Sequence, residues 1–169
     1  GRNATLPQDT MTIVPDVAAH VPVLAFPTAQ VAVLSPMRTF WEKATAIHVF
    51  CLQERLRGER FARHWHDIVR LDGSGIAAAA SADRDLAQAV ARHKSMFFAE
   101  KAADGASVDY EAAVNGLLQL VPGGEARTAL ASDYAQMIED GLLLEDAESF
   151  EVLIERCADI ADRVNRSVK

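Results

Sequence analysis

The sequence predicts a mainly α-helical fold, a bundle of about six helices behind a short irregular or β-like lead-in. Three observations predict it. Prolines at positions 7, 15, 22, 27 and 36 crowd the opening of the chain and rule out a long helix there. From Pro36 onward, apolar residues recur at helical spacing in one segment after another. Half of the 169 residues are apolar and 24% are charged, the balance of one ordinary globular domain with enough material for a core.

The elements follow in order. Within the lead-in, residues 1–35, the runs Met11–Val14 and Val31–Leu34 read as short strands. Strands this few need a partner sheet, and the chain offers no other strand-like run, so the lead-in is expected to be the edge of a sheet that lies elsewhere. Residues 36–169 form the helical domain. Ser35 can cap its first helix with Pro36 at the first position, Thr39-x-x-Glu42 reads as a capping box, and Gly58 ends it. This helix is apolar nearly all round, the mark of a buried one. A second helix is expected over about Glu59–Leu71, with Phe61, Trp65, Ile68 and Val69 inward and Arg60, Arg63, His64, Asp67 and Arg70 outward. Asp72-Gly73-Ser74-Gly75 is a turn. A third stretch, about Ile76–Phe97, is broken near Ser81, which suits an N-cap, and 102–107 is a loop. Helices over Tyr110–Leu120, Glu125–Glu139 and Ser149–Asn165 complete the bundle, the last carrying the stripe Phe150, Leu153, Ile154, Cys157, Ile160 and Val164.

Composition also excludes. A net charge of −7 and a pI near 5.2 argue against a self-sufficient nucleic-acid binder, though not against a local basic patch. Cys51 and Cys157 have no CxxC partner, so buried, reduced thiols of a cytoplasmic protein are expected. No run reaches the roughly 18 apolar residues of a membrane span, so no membrane is expected among the partners. The chain opens with Gly1 rather than Met, and a piece of something longer is the expectation.

Two places could carry chemistry. Lys43 lies two turns into a helix otherwise built for burial, close to Phe40, Ile47 and Phe50. Either it extends its charge outward to solvent, or it meets a ligand anion, most naturally a phosphate. Arg60-x-x-Arg63-His64-x-x-Asp67 turns an arginine-rich face outward with one carboxylate on it. That is either a solvated face with an Arg63/Asp67 pair, or a site in which the arginines contact phosphates and Asp67 is a metal ligand or polariser. His64 and His66 do not make a metal site alone, because residues two apart on a helix point about 200° from each other. His48 and His93, single on apolar faces, read as core histidines. No Ser/His/Asp or Cys/His arrangement is supported by the spacings.

The segment Arg38-Thr39-Phe40-Trp41-Glu42-Lys43-Ala44, then Ile47-His48, then Arg63-His64-Trp65-His66-Asp67-Ile68, resembles the AbiEii/AbiGii family of nucleotidyltransferase toxins. His93-Lys94 with Phe97-Phe98, and Leu130 with Asp133-Tyr134 and Met137, extend the likeness over nearly the whole chain. The resemblance implies the C-terminal helical part of a toxin from an abortive-infection or toxin–antitoxin system. It implies transfer of nucleotides from an NTP, with Mg²⁺, to an RNA acceptor such as tRNA, and a cognate antitoxin as partner. It maps the family's lysine and aspartate onto Lys43 and Asp67 as catalytic residues, and it supports Lys43, Arg60, Arg63 and His64 as phosphate contacts. The family's Gly-rich turn and paired aspartates have no counterpart in residues 1–35, where Asp9 and Asp16 lie seven apart in a Pro-rich stretch. The chain alone is therefore expected to bind no metal and to be inactive. The rival expectation is a non-enzymatic helical interaction module, in which Lys43 and Asp67 point apart and share no cleft.

Overall fold

The computed structural model describes residues 7–55, 58–143 and 146–168. The chain divides into two compact units, Gly1–Ser35 and Pro36–Lys169.

In the first unit, β1 (Gln8–Ile13) pairs antiparallel with β2 (Ala29–Leu34), in a register running from Gln8 opposite Leu34 to Ile13 opposite Ala29. The two short runs therefore partner each other, a pairing that the sequence reading did not foresee. Prolines and a 3-10 turn at Asp16–Ala19 bring the chain back, so the second strand lies beside the first. All of β1 is exposed, including Met11 and Ile13. A two-stranded ribbon with so little burial is held mainly by its backbone ladder.

The second unit is helical. α1 (Pro36–Gln53) packs against α2 (Arg63–Gly73), α3 (Ile76–Ala82) and α4 (Arg84–Phe97). A single turn of helix, α5 (Tyr110–Ala112), continues into a π turn over Ala113–Leu117, and α6 (Gly124–Glu139) and α7 (Phe150–Arg166) follow. Phe40, Trp41 and Ile47 of α1, Trp65 and Ile68 of α2, Leu130 of α6, and Leu153 and Ile160 of α7 are among the most deeply buried residues. The two tryptophans also tie elements together: Trp41 Nε1 donates to the Ala80 carbonyl at 3.0 Å, and Trp65 Nε1 to that of Leu120 at 2.8 Å. A buried indole N–H left without an acceptor would be costly, so each bond fixes which neighbour its helix meets.

Several boundaries differ from expectation for identifiable reasons. α1 ends at Gln53 rather than near Gly58, because Glu54 turns into the left-handed region. Thr39 lies inside α1 rather than ahead of it, and Glu42, its expected capping-box partner, is held by Arg38 at 3.1 Å and Lys94 at 2.6 Å. The cap of α4 is Asp83, whose carboxylate accepts from Leu86 N, while Ser81 donates back to the Ala77 carbonyl. The helix expected to run to Leu120 stops at Leu117, since Gly116 adopts φ +106°, a conformation open to glycine. There Asn165 clamps the broken end to α7 by paired bonds with the Leu118 backbone, at 2.8 and 3.0 Å.

Candidate functional site

α2 is strongly amphipathic. Trp65, Ile68 and Val69 are buried, which forces Arg63, Asp67 and Arg70 to the opposite side. These three, with Arg60 and His66, form one wall of an open cleft of about 580 Å³, and Met137, Gly141, Leu142 and Leu143 at the end of α6 form the other. One wall is cationic and the other mostly apolar.

Lys43 and Asp67 meet. The Lys43 Nζ stands 2.6 Å from Asp67 Oδ2, across the packed pair α1 and α2. The rival reading required these groups to point apart, and they do not. Lys43 itself is not on the cleft wall; it reaches the cleft through Asp67. The lysine and aspartate side chains keep 22% and 37% of their exposure, so the pair contributes at most about 1 kcal/mol to stability. Either partner can therefore be replaced without expecting the fold to fail.

Arg60 and Arg63 have no ion-pair partner among the described residues, whereas Arg70 is held by Asp146 at 2.7 Å. That contact holds the Asp146 carboxyl below its ordinary range, through the hydrogen bond from Arg70 first of all. The Arg63/Asp67 pair of the solvated-face reading is not among the ion pairs of the described residues; Asp67 pairs with Lys43 instead.

His64, expected among the phosphate contacts, is not one of the residues that line this cleft. Burial, then the nearby charges of Lys43 and Arg63, push its pKa down to about 4. The imidazole is neutral at pH 7, and its buried Nδ1 has no hydrogen-bond partner among the described residues. Positive charge in the cleft thus comes from the arginines. His48 is a satisfied core histidine: its Nδ1 accepts from Gln119 N at 3.1 Å, and burial lowers its pKa to about 4. His93 is only half-buried, set against Phe97 and Phe98, and its Nδ1 lacks a partner among the described residues. Cys51 and Cys157 are free and buried, with thiols pushed up to about 12 by desolvation, which leaves them inert.

Sequence reasoning missed the apolar wall and one carboxylate. Asp133 of α6 accepts from the backbone N–H groups of Arg60 and Ala62, at 2.7 Å each. Arg60 sits at φ +63°, in the left-handed region, at a cost of about 1–2 kcal/mol for a residue with a Cβ. Two charge-assisted bonds to one carboxylate are strong enough to offset that strain. The signal was present: Asp133 stands three residues after Leu130 and four before Met137, on the inward stripe of α6.

Among the described residues, no group of three or more His, Cys, Asp or Glu could hold a metal ion, and no helix is long and apolar enough to cross a membrane. A family model described as "Nucleotidyl transferase AbiEii toxin, Type IV TA system" matches residues 1–156. No curated protein and no solved structure matches the chain.

Proposed function

The chain belongs to the AbiEii nucleotidyltransferase toxin family of type IV toxin–antitoxin systems, and on that premise we propose that its helical unit binds the phosphates of a nucleoside triphosphate during nucleotidyl transfer to an RNA acceptor, tRNA foremost. One observation carries the reading. In a chain of net charge −7, two arginines without carboxylate partners among the described residues face the same cleft as Asp67. A planar guanidinium matches phosphate oxygens in pairs, and each such contact contributes about 1.5–3 kcal/mol.

The residues divide the work. Arg60 and Arg63 grip the phosphates; Asp67 and Lys43 act as one unit, the carboxylate holding the ammonium at the edge of the cleft until a phosphate oxygen draws it away. The apolar surface of Met137 and Leu142 gives the nucleoside a face to lie against. Neutral His64 supplies at most an uncharged contact.

Mg²⁺ is the ion such a transfer uses, to clamp the triphosphate and activate the attacking oxygen. The described residues do not fit a two-metal centre: the cleft wall offers one carboxylate, and Lys43 already occupies it. What they fit is binding and orientation, complementary to a metal-holding core in the complete enzyme. A toxin–antitoxin family also implies a cognate antitoxin as partner.

The test is titration calorimetry of the protein with each of the four NTPs, followed by incorporation of labelled NTP into total tRNA by the complete enzyme. Lys43→Ala and Arg63→Ala should each lower affinity about tenfold with little change in thermal stability. Unchanged affinity in both variants would remove the cleft as a nucleotide site.

A further inference from the structure

We propose that Asp133 is a positioning residue for nucleotide binding: it holds the backbone ahead of α2 so that Arg60, in a left-handed conformation, presents its guanidinium to the cleft. The inference rests on the reading of that cleft as a phosphate site.

The geometry supports it from both ends. Among the described residues only Glu54 and Arg60 adopt positive φ without being glycine, and only Arg60 of the two lines this cleft. Glycine would occupy position 60 without strain, so the backbone itself gains nothing from an arginine there. What arginine adds is its side chain, at a position that lines the cleft. The opposing force is local and identifiable. Both oxygens of Asp133 are engaged, one by Arg60 N and the other by Ala62 N. A single carboxylate thereby fixes the residues on either side of Phe61 and sets where α2 begins.

Asp133 also couples the two walls. It belongs to α6, the same helix that carries Met137 and leads into Gly141, Leu142 and Leu143. A displacement of α6 would move the apolar wall and loosen Arg60 together. The cleft is thus gauged from one side by a carboxylate that need not touch the ligand.

Asp133→Asn keeps the shape of the side chain and loses one of its two acceptors. Titration calorimetry with ATP, GTP, CTP and UTP should show Arg60→Ala weakening the tightest-bound nucleotide about tenfold or more. Asp133→Asn should give a comparable loss, and the double variant Asp133→Asn/Arg60→Ala no further loss, because both act through one guanidinium. Arg60→Gly should raise Tm by relieving the backbone while losing affinity as Arg60→Ala does. If Arg60→Ala weakens binding but Asp133→Asn stays within twofold of the parent, or the two losses multiply in the double variant, positioning by Asp133 is wrong and the phosphate site stands. If Arg60→Ala changes nothing, both readings fall together. Should Asp133→Asn not fold, Asp133→Ser takes its place: affinity within twofold of the parent overturns the proposal, and a loss that adding Arg60→Ala does not deepen supports it.

Discussion

Two arginine-rich faces of the helical unit look alike in sequence and differ in kind. On α7, Arg156, Arg163 and Arg166 line a smaller cleft of about 230 Å³ with Asp72 and Asp159. Arg163 is held by Asp72 at 2.8 Å and Arg156 by Glu148, so three arginines there face three carboxylates. On α2 and just ahead of it, Arg60, Arg63 and Arg70 share a larger cleft with one carboxylate on the wall; that carboxylate is held by Lys43, and Asp146 engages only Arg70, which leaves Arg60 and Arg63 over. The first face is internally neutralised and the second has positive charge to spare. Arginine content alone does not make an anion site; the placement of carboxylates by other elements does.

The comparison can be broken most directly by nucleotide affinity. Replacing Arg60 and Arg63 together with alanine should weaken NTP binding about 100-fold or more, read by titration calorimetry. The matched change on the other face, Arg163→Ala/Arg166→Ala, should leave it within twofold. Equal losses from the two pairs would erase the distinction.

Acid should sharpen it next. α2 carries His64 beside its cleft, while α7 carries no histidine. The folded-state pKa of about 4 lies below the ordinary 6.5, so the unfolded chain takes up the proton first. The stability this contributes is complete above about pH 6.5 and is lost as pH falls toward 4. His48 behaves in the same way. Urea unfolding at pH 7 and pH 5 should differ by roughly 1 kcal/mol for each histidine, allowing for residual solvent. His64→Asn should remove its share of that difference, and an unchanged pH slope in this variant would contradict the neutral, buried assignment.

The smallest effect is expected on the neutralised face. Asp72→Ala breaks an ion pair whose arginine is half-exposed, so the change in unfolding free energy should stay below about 1 kcal/mol, measured by urea titration. A much larger loss would mean that the α7 pairs bear structural weight that their exposure does not suggest.

Much of this was legible in the chain. The stripe of α7 fell where periodicity put it, and the helix expected from about Ser149 begins at Phe150, with the Ser149 side chain capping it by accepting from Val152 N. The outward face of α2 was legible too, because burying Trp65 and Ile68 leaves Arg63 and Asp67 no other direction. The start of α2 was not: Glu59 to Ala62 read as helix, but the residues before Arg63 form turns held by Asp133, 73 residues beyond Arg60 in the chain. Local propensity carries no information about a carboxylate that arrives from another helix.

By itself, then, the sequence determined the helical class, the inward and outward faces of its amphipathic helices, and the family to which the chain belongs, since periodicity and local motifs are properties of neighbours along the chain. The tertiary structure alone decided three further things: that β1 and β2 pair with each other, that Lys43 takes Asp67 away from Arg63, and that Asp133 governs Arg60. Each is an interaction between groups from 16 to 73 residues apart or a choice among competing ionic partners. Distance in space settles such choices, because Coulomb attraction and hydrogen bonding fall off over a few ångströms, whatever the separation along the chain.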